Sequence, residues 1–512
     1  MTKLPNILLL QVDQQAASTL SAYGGTVAKT PNIDRLMARS AIFDNAYTNF
    51  PVCAPSRFSM MSGQLASQIE GYDNAAEFRA SVPTMAHYLR YLDYQTSLCG
   101  KMHFIGPDQL HGFEERLVPE LYSSNLVTMP QWEGQDDDFA TDAYEALKEA
   151  GPVARTVQMD YDEEVAHNAV RKIYDLARSD DTRSFFLTVS FTHPHEPFLC
   201  TQWHWNLYEG VDIPLPTVPR FDERDLDPYS KRTYQHYNLS QPDITDDDIR
   251  RARRAYFGSM SYVDELIGQV LDALELVGLD ENTLVFFTSD HGEMLGERGM
   301  WFKKVHWQDS INVPLSVAGP GVAQGRLALN VSLVDLLPTF MDIADPGHHL
   351  EPVEPLAGHS LMPLITGKIE DWSDTVFVEL TCEGVVEPVM AIKHGPFKYM
   401  YSNSDEPLLF NLDDDPNELV NLAERAEFAG VLARINAMGE AVWGDLGVLR
   451  AKIVHSQKSR LLVREALEKG EFFSWDESFH TNTGDRYLRP GKSYNAWNYS
   501  GVDRLRGKDP AG

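Results

Sequence analysis

The chain has 512 residues, enough for two or more domains or for one large α/β domain with a smaller appendage. With 44 Lys and Arg against 75 Asp and Glu, its formal net charge is −31, which opposes binding to nucleic acid or to an anionic membrane surface. We interpret this acidity as a solvated surface, so an anionic substrate would need a local cluster of cations.

The sequence shows no targeting segment and no membrane span. The apolar run within residues 1–10 is too short for a signal peptide, and no segment approaches the roughly 18 apolar residues of a spanning helix. The spacing of the cysteines indicates neither metal-binding pairs nor an obligatory disulfide; they are Cys53, Cys99, Cys200 and Cys382. We therefore expect a soluble, cytoplasmic protein that binds neither nucleic acid nor a membrane.

Short apolar runs alternate with helical patterns over the first 370 residues. The runs predict strands at 6–12, 95–99, 185–191, 283–288 and 314–318. Apolar residues at helical spacing predict helices at 82–92, 161–176 and 246–276. Strands of this kind, separated by helices, are typical of a sheet buried on both faces. The sequence thus predicts an α/β fold with a mostly parallel sheet sandwiched by helices.

The pattern changes after residue 370. Shorter runs separated by polar turns predict a small antiparallel sheet with strands at 375–380, 389–393, 396–401 and 409–412, closed by a helix at about 418–450. Beyond about residue 470 the chain has no periodicity. We predict a catalytic domain over 1–370, a small sheet-and-helix subdomain over 371–455, and an extended tail over 456–512.

Polar residues follow three of the strands predicted in the first domain. In an open α/β sheet, ligands bind at the carboxyl ends of the strands, where such residues meet. The sequence therefore predicts one site at this edge of the sheet, formed by Asp13, His193, His195, Asp290 and His291.

The run Cys53-Ala54-Pro55-Ser56-Arg57, followed by Ser62-Gly63, is a rare combination. Pro55 and Ser56 suit the first turn of a helix, and a helix N-terminus stabilises an anion. A lone cysteine is otherwise most often a small buried side chain, so this run by itself leaves catalysis and packing both open.

Three further segments place cations or histidines in loops: Gly100-Lys101-Met102-His103, Thr192-His193-Pro194-His195, and Lys303 after Trp301-Phe302. Lysine supplies a compact positive charge, and histidine exchanges a proton near neutral pH. Alone, each segment is also compatible with a structural turn or a surface lysine, and Asp290-His291-Gly292 with a turn that caps its strand.

Taken together and in this order, these segments resemble the type I, formylglycine-dependent sulfatases of the alkaline phosphatase superfamily, and most closely the choline-sulfatase group. The resemblance implies an alkaline-phosphatase-like fold and a Cys53 oxidised to formylglycine, whose hydrate attacks a sulfate ester. It also implies a divalent metal, Ca²⁺ with Mn²⁺ or Mg²⁺ as alternatives, held by Asp13, Gln14, Cys53, Asp290 and His291. Many members have Asp where this chain has Gln14 and Asn where it has His291.

The resemblance also assigns roles to the remaining residues. Arg57, Lys101 and Lys303 neutralise charge, His195 with Lys303 protonates the leaving oxygen, and His103 deprotonates the hydrate. Asn74, His193 and Trp132 are the candidates for substrate binding. The expected partners are a small sulfate ester and a formylglycine-generating or sulfatase-maturing enzyme. A homo-oligomer, dimer or tetramer, is expected through a tail containing Trp475, Phe479, Tyr487, Trp497 and Tyr499, although an ordered intrachain tail is an alternative.

Two other functions remain open at the level of sequence. The same scaffold supports hydrolysis of phosphonate monoesters or phosphodiesters, and an unmodified Cys53 would leave a metal- and anion-binding protein without turnover. The choline-sulfatase group has a tryptophan-rich stretch that binds the quaternary ammonium. The corresponding residues of this chain, 122–154, contain a single tryptophan, Trp132. The sequence therefore indicates the reaction more firmly than the alcohol.

Overall fold

The structure is a computed structural model that describes residues 4–127, 129–134, 143–240, 243–368, 372–471 and 474–477, with Asn495 and Tyr499. Its strands are β1 (Asn6–Val12), β2 (Ser40–Tyr47), β3 (Gln95–Gly100), β4 (Glu115–Arg116), β5 (Gly151–Val153), β6 (Phe185–Ser190), β7 (Leu199–Thr201), β8 (Thr283–Ser289), β9 (Leu315–Ala318), β10 (Gly325–Ser332), β11 (Thr375–Leu380), β12 (Val389–His394), β13 (Phe397–Tyr401) and β14 (Leu408–Asn411). Its α-helices are α1 (Pro31–Met37), α2 (Cys53–Ser62), α3 (Met85–Tyr91), α4 (Ala143–Lys148), α5 (Val157–Arg178), α6 (Gln202–Asn206), α7 (Pro228–His236), α8 (Asp246–Leu276), α9 (Gln308–Ile311), α10 (Leu336–Ala344), α11 (Met362–Ile365), α12 (Ala429–Trp443) and α13 (Leu446–Leu467).

Within the described residues, eight strands form the main sheet, in the order β10-β2-β9-β8-β1-β6-β3-β4. β1 pairs in parallel with both β6 and β8, and β3 pairs in parallel with β6. β9 runs antiparallel to its neighbours β2 and β8. The predicted mostly parallel sheet is therefore confirmed, with one reversed strand.

The central strand β1 is buried along its whole length because helices cover both faces of the sheet. Leu8 and Leu10 point to one face, whose core includes residues of α1, α5 and α8. Ile7 and Leu9 point to the opposite face, whose core includes residues of α2, α3 and α10. Successive side chains of a strand alternate between faces, which explains why this strand reads as a continuous apolar run.

The predicted C-terminal sheet is also present. Strands β11 to β14 pair in sequence order, each antiparallel to the next. One face of this sheet packs on α12 through a small core that includes Ile392, Tyr399, Leu409 and Ile435.

The C-terminal helices differ from their prediction. The single helix predicted at about 418–450 is two helices, α12 and α13, and α13 continues through residue 455 to Leu467. The segment from residue 456 therefore begins as helix, not as extended chain, because apolar positions such as Ile453 and Val454 bury one side of it. Of the predicted tail aromatics, Phe479, Tyr487 and Trp497 lie outside the described residues.

Among the helices described, none has the length and apolar composition needed to cross a membrane.

Candidate active site

Four neighbouring strands end at the same place in the sheet. Asp13 follows β1, Asp290 follows β8, Lys101 follows β3, and Thr192 lies just beyond β6. Because β8, β1, β6 and β3 are adjacent and parallel, their carboxyl ends lie side by side. The sheet edge predicted to carry the site is the edge at which these residues converge.

Helix α2 brings Cys53 to this edge. The helix begins at Cys53, has Pro55 in its first turn, and ends at Ser62, where it is capped by Gly63, whose φ of 66° suits glycine. All ten residues of the helix are buried. The Ser56 hydroxyl donates to the carbonyl of Asp290 at 2.6 Å, so the start of the helix is fixed to the end of β8.

Arg57 joins the two acidic strand ends. Its guanidinium is fully buried and donates to Asp290 Oδ2 and Asp13 Oδ2, both at 2.8 Å. It also donates to the carbonyl of Lys101 at 2.7 Å and to Ser190 Oγ at 2.9 Å. The motif arginine therefore ties α2 to four strands, a role that its position in the motif does not reveal.

Four side chains form a cluster that could hold a metal ion. One ligand atom from each of Asp13, Cys53, Asp290 and His291 lies within 4.8 Å of the other three. His291 Nδ1 lies 3.1 Å from the Gly292 carbonyl; a proton on Nδ1 leaves Nε2, 3.2 Å from Cys53 Sγ, as the ligand atom. Two carboxylates and an imidazole suit a divalent cation such as Ca²⁺, Mg²⁺ or Mn²⁺. The residues present thus fit the metal that the sequence predicts.

The surroundings of this cluster lower the pKa of one of its members, Asp13, and raise the pKa of another, Cys53. Burial alone would raise the pKa of Asp13, but Lys101, His195 and Arg57 hold it well below its usual range. Burial, with Asp13, raises the pKa of the Cys53 thiol to about 12, so the unmodified thiol is protonated at neutral pH. A protonated thiol is a poor nucleophile.

The side chain of Gln14 faces Lys303. Its Oε1 accepts from Lys303 Nζ, and its Nε2 donates to Glu293 Oε2 at 2.5 Å. The backbone N–H of Gln14 also donates to Asp290 Oδ1 at 3.1 Å. The predicted metal role of Gln14 stays a prediction, and the structure adds a contact that positions Lys303.

His195 lies between Lys303 and Glu196. Its Nδ1 is 2.8 Å from the Glu196 carbonyl, and its Nε2 is 2.7 Å from Lys303 Nζ. Burial lowers the pKa of His195 to about 3, against the opposing effect of Glu196 and with the help of Lys303. Glu196 and Cys53 raise the pKa of Lys303 above its ordinary value although burial opposes them. At neutral pH the lysine is therefore charged and the imidazole neutral.

The Lys101–His103 loop is held by a buried carboxylate, Glu120. Glu120 Oε2 accepts from the backbone N–H groups of Met102 at 3.0 Å and His103 at 2.7 Å, and from Arg116 at 2.7 Å. Lys101 Nζ forms an ion pair with Asp13 Oδ2. Burial, followed by the charge of Lys101, lowers the pKa of His103 well below its usual value, so this imidazole is also neutral.

The aromatic ring of Tyr122 covers this loop. Lys101 Nζ lies 4.2 Å from the ring centroid, and the His103 ring stacks on the same phenol at 4.2 Å. The His195 ring meets it edge-on at 6.4 Å. Tyr122 therefore contacts three of the side chains predicted to take part in catalysis.

The three predicted substrate residues occupy different places. Asn74 lies beside the nucleophile, where its Oδ1 accepts from the backbone N–H of Ala54 at 3.1 Å. His193 is turned toward α5, with its Nδ1 2.6 Å from Asp162 Oδ2. Trp132 has a backbone hydrogen bond to Gln457 on α13, at 3.0 Å.

Sequence reasoning missed four residues of this region: Glu120, Tyr122, Lys304 and Glu383. Each lies in a loop without periodicity, at a position that only the folded chain brings near Cys53. A sequence signal existed for Lys304 alone, because it directly follows the predicted Lys303.

Comparisons with known proteins indicate the family of the chain. A family profile described as Sulfatase matches residues 5–346, which is more than half of the chain. A second profile, described as N-sulphoglucosamine sulphohydrolase, C-terminal, matches residues 296–441. The chain is 41% identical over 497 residues to the choline-sulfatase of Rhizobium meliloti (strain 1021), covering 95% of this chain and 96% of that protein.

Solved structures share the fold. The phosphonate monoester hydrolase of Agrobacterium radiobacter has a TM-score of 0.68 at 24% identity, covering 88% of this chain and 96% of its own. A protein solved in complex with its substrate, D-glucosamine-2-N, 6-O-disulfate, has a TM-score of 0.67 at 21% identity, covering 89% of this chain and 99% of its own. At these identities the likeness establishes the fold.

Proposed function

The chain belongs to the sulfatase family and is a sulfuric ester hydrolase, and we propose that it cleaves sulfate monoesters with a formylglycine formed from Cys53. The observation that carries the proposal is the position of Cys53. Its side chain lies within a buried cluster of metal ligands, and cations pair with the acids of this cluster. Such a cluster offers an otherwise acidic protein the local positive charge that a sulfate group needs.

Two groups would complete the site. Asp13, Asp290, His291 and residue 53 would hold a divalent ion, which when bound would supply positive charge against the negative charge of the ester. A hydrated aldehyde at residue 53 supplies an oxygen nucleophile in place of a thiol. Ca²⁺ remains the predicted ion, with Mn²⁺ and Mg²⁺ as alternatives.

The cations around Cys53 have two roles: they position the acidic side chains, and they neutralise charge on the substrate. Arg57 holds Asp13 and Asp290 in fixed positions. Lys101 and Lys303 neutralise charge on the sulfate oxygens. The ion pairs and hydrogen bonds of the three cations, which hold them around Cys53, support these assignments.

Proton transfer is assigned to two different residues. The resemblance implied His195, together with Lys303, as the acid for the leaving oxygen. A neutral His195 whose Nδ1 donates to Glu196 has no proton on Nε2 to give. We therefore assign this proton to Lys303, with His195 as its positioning residue. The neutral imidazole of His103 accepts the proton that residue 53 releases when sulfate leaves.

The modification is tested on the tryptic peptide 40–57. After expression with a sulfatase-maturing enzyme, we expect this peptide to show the mass decrease that accompanies replacement of a thiol by an aldehyde. A protein that turns over sulfate esters while this peptide retains its thiol would contradict the proposal.

The variant Cys53→Ser tests the role of the second hydroxyl. One hydroxyl can take up a sulfate group but has no partner hydroxyl with which to expel it, so we expect at most one turnover per enzyme molecule. A rate measurement on p-nitrophenyl sulfate and on a matched phosphonate monoester reports both the loss and the preferred ester. Repeated turnover by this variant at the wild-type rate would rule out the mechanism.

A further inference from the structure

A polar group outside the metal cluster lies next to the nucleophile. Asn74, whose Oδ1 accepts from the N–H of Ala54, donates from its Nδ2 to Glu383 Oε1 at 2.9 Å. Glu383 Oε2 in turn forms an ion pair with Lys304. The chain of contacts therefore runs from the start of α2 through Asn74 and Glu383 to the residue that follows Lys303.

The backbone conformation supports a functional role for this pair. Lys304 has φ of 73° and Glu383 has φ of 47°, a region that side-chain-bearing residues rarely adopt. Residues held in such conformations cluster at active sites and ligand-binding loops. The side chain of Glu383 is 14% exposed, so this end of the group reaches solvent, whereas that of Lys304 is 5% exposed.

A third polar side chain lies beside the pair. A side-chain carbon at Gly384 would lie 3.4 Å from His236, which places this imidazole next to Glu383. His236 Nε2 is buried, and among the described residues it has no hydrogen-bond partner. Burial and Lys304 lower the pKa of His236 to about 4, so it adds hydrogen-bonding capacity without charge at neutral pH.

The charge balance of this group decides which alcohols it suits. A quaternary ammonium has no N–H to donate and is bound by a free carboxylate or by aromatic faces. Here the carboxylate of Glu383 is already paired with Lys304, whose charge repels a second cation. An alcohol with hydroxyl groups uses both halves of the pair, because hydroxyls donate to a carboxylate and accept from an ammonium or an amide.

We propose that Lys304, Glu383 and Asn74 bind the alcohol half of the sulfate ester, and that the Lys304–Glu383 ion pair selects neutral, hydroxyl-bearing alcohols over quaternary ammonium alcohols. The proposal rests on the sulfate ester hydrolysis proposed above.

The test compares kcat/KM for three esters: choline sulfate, neohexyl sulfate, in which carbon replaces the nitrogen, and glycerol sulfate. For the wild-type enzyme we expect choline sulfate to be the poorest, by about tenfold against glycerol sulfate, as expected for like charges brought together. Lys304→Met leaves the carboxylate of Glu383 unpaired, so we expect the ratio of kcat/KM for choline sulfate to kcat/KM for neohexyl sulfate to rise by about tenfold. Glu383→Gln leaves Lys304 unpaired, so the same ratio falls.

Lys148→Met is the matched control, because Lys148 also pairs with a carboxylate, Asp248, at 2.8 Å but belongs to the surface between α4 and α8. We expect this variant to keep the wild-type ratio. If the Lys304–Glu383 pair were only structural, Lys304→Met and Glu383→Gln would each change kcat/KM for the choline and neohexyl esters by the same factor. That result would overturn the inference. So would a wild-type preference for choline sulfate.

Activity on p-nitrophenyl sulfate separates this inference from the function on which it rests. An enzyme that cleaves p-nitrophenyl sulfate and prefers choline sulfate refutes the role of Lys304 alone. An enzyme with the aldehyde at residue 53 that cleaves no sulfate ester refutes the proposed function itself.

Discussion

The ring of Tyr122 contacts two groups whose positions the proposed chemistry requires. Lys101 Nζ lies over its face, and His103 stacks on it, each at 4.2 Å. A cation held over an aromatic face away from water is stabilised by about 2 kcal/mol. We infer that this ring fixes both side chains beside Asp13, so Tyr122 is a positioning residue.

Removing the ring should therefore slow the reaction. For Tyr122→Leu we expect kcat/KM to fall roughly 30-fold, since about 2 kcal/mol corresponds to that factor. Tyr122→Phe keeps the aromatic face and should recover most of the loss. Steady-state rates on p-nitrophenyl sulfate measure both effects. Equal losses in the two variants would show that the ring face is not what matters.

Glu120 acts one step further from the substrate, through the backbone of the Lys101–His103 loop. Burial alone would raise its pKa, but Arg116, His103 and backbone N–H groups lower it from 4.5 to about 2. A carboxylate with a depressed pKa stabilises the folded state above its unfolded pKa, and this contribution is lost as the pH falls from about 4.5 toward 2. The lower pKa in the folded state corresponds to a contribution of roughly 3 kcal/mol at neutral pH.

Glu120→Gln tests this charge. At pH 7 we expect the variant to be less stable than wild type by up to roughly 3 kcal/mol, and the difference to shrink as the pH falls through 4.5 toward 2. Urea unfolding midpoints at a series of pH values measure the difference. A gap that stays constant with pH would mean that the charge of Glu120 does not contribute.

At the level of elements, helix α13 is joined to the loop that carries Asn74. Arg460 donates two hydrogen bonds of 2.6 Å to the carboxylate of Asp73, whose side chain is fully buried. Trp132 and Glu133 also contact α13, through Gln457 and Lys458. The helix thus supports two segments that the sequence predicted to meet the substrate.

Arg460→Ala should destabilise the protein by about 3–5 kcal/mol, because it leaves the buried carboxylate of Asp73 unpaired. We also expect a higher KM, since Asn74 follows Asp73 directly. Adding Asp73→Asn to the variant removes the unpaired charge and should restore part of the stability. Lys458→Ala, which breaks an exposed pair with Glu133, is the control and should leave the melting temperature unchanged. A larger loss of stability in Lys458→Ala than in Arg460→Ala would contradict this account.

Sequence patterns anticipated the elements better than their arrangement. β1, β3, β6 and β8 are short apolar runs with helices between them, so their bounds were predicted to within a residue or two. The reversed direction of β9 could not be predicted, because an apolar run is the same in either orientation. Strand β2 was missed, since Asp44 and Asn45 interrupt its apolar pattern.

At the scale of the whole molecule, the site lies at the carboxyl edge of the main sheet, where residues from both of its faces converge. The side with α5 and α8 supplies Asp162, which orients the His193 loop, and the side with α2 supplies Cys53 and Arg57. Parallel strands bring Asp13 and Asp290 together at the edge where the sequence placed them, and Lys101 lies at the same edge. Glu383 comes from the C-terminal sheet region, a long-range contact with Asn74 that local patterns do not encode.

This convergence makes metal binding a test of the whole fold. The ligand atoms come from the ends of two strands, with Asp13 after β1 and Asp290 and His291 after β8, and from Cys53 at the start of α2, so the site exists only when the sheet is assembled. A ligand that binds only the folded state stabilises it, by about 2.7 kcal/mol when its concentration is 100 times Kd. We therefore expect chelation to lower the melting temperature and Ca²⁺ to restore it, with Mn²⁺ and Mg²⁺ compared at equal concentrations.

Asp290→Asn should greatly reduce the metal-induced rise in melting temperature, because it removes one of the two carboxylates. Asp264→Asn is the matched control: this carboxylate is also buried, but it accepts from the N–H groups of Asn32 and Ile33 at the start of α1. The melting temperature of Asp264→Asn without metal will differ from that of wild type. The increase in melting temperature on adding metal should be the same as for wild type. If no divalent ion raises the melting temperature of the wild-type protein, or if both variants respond alike, the four residues at the sheet edge do not form the metal site.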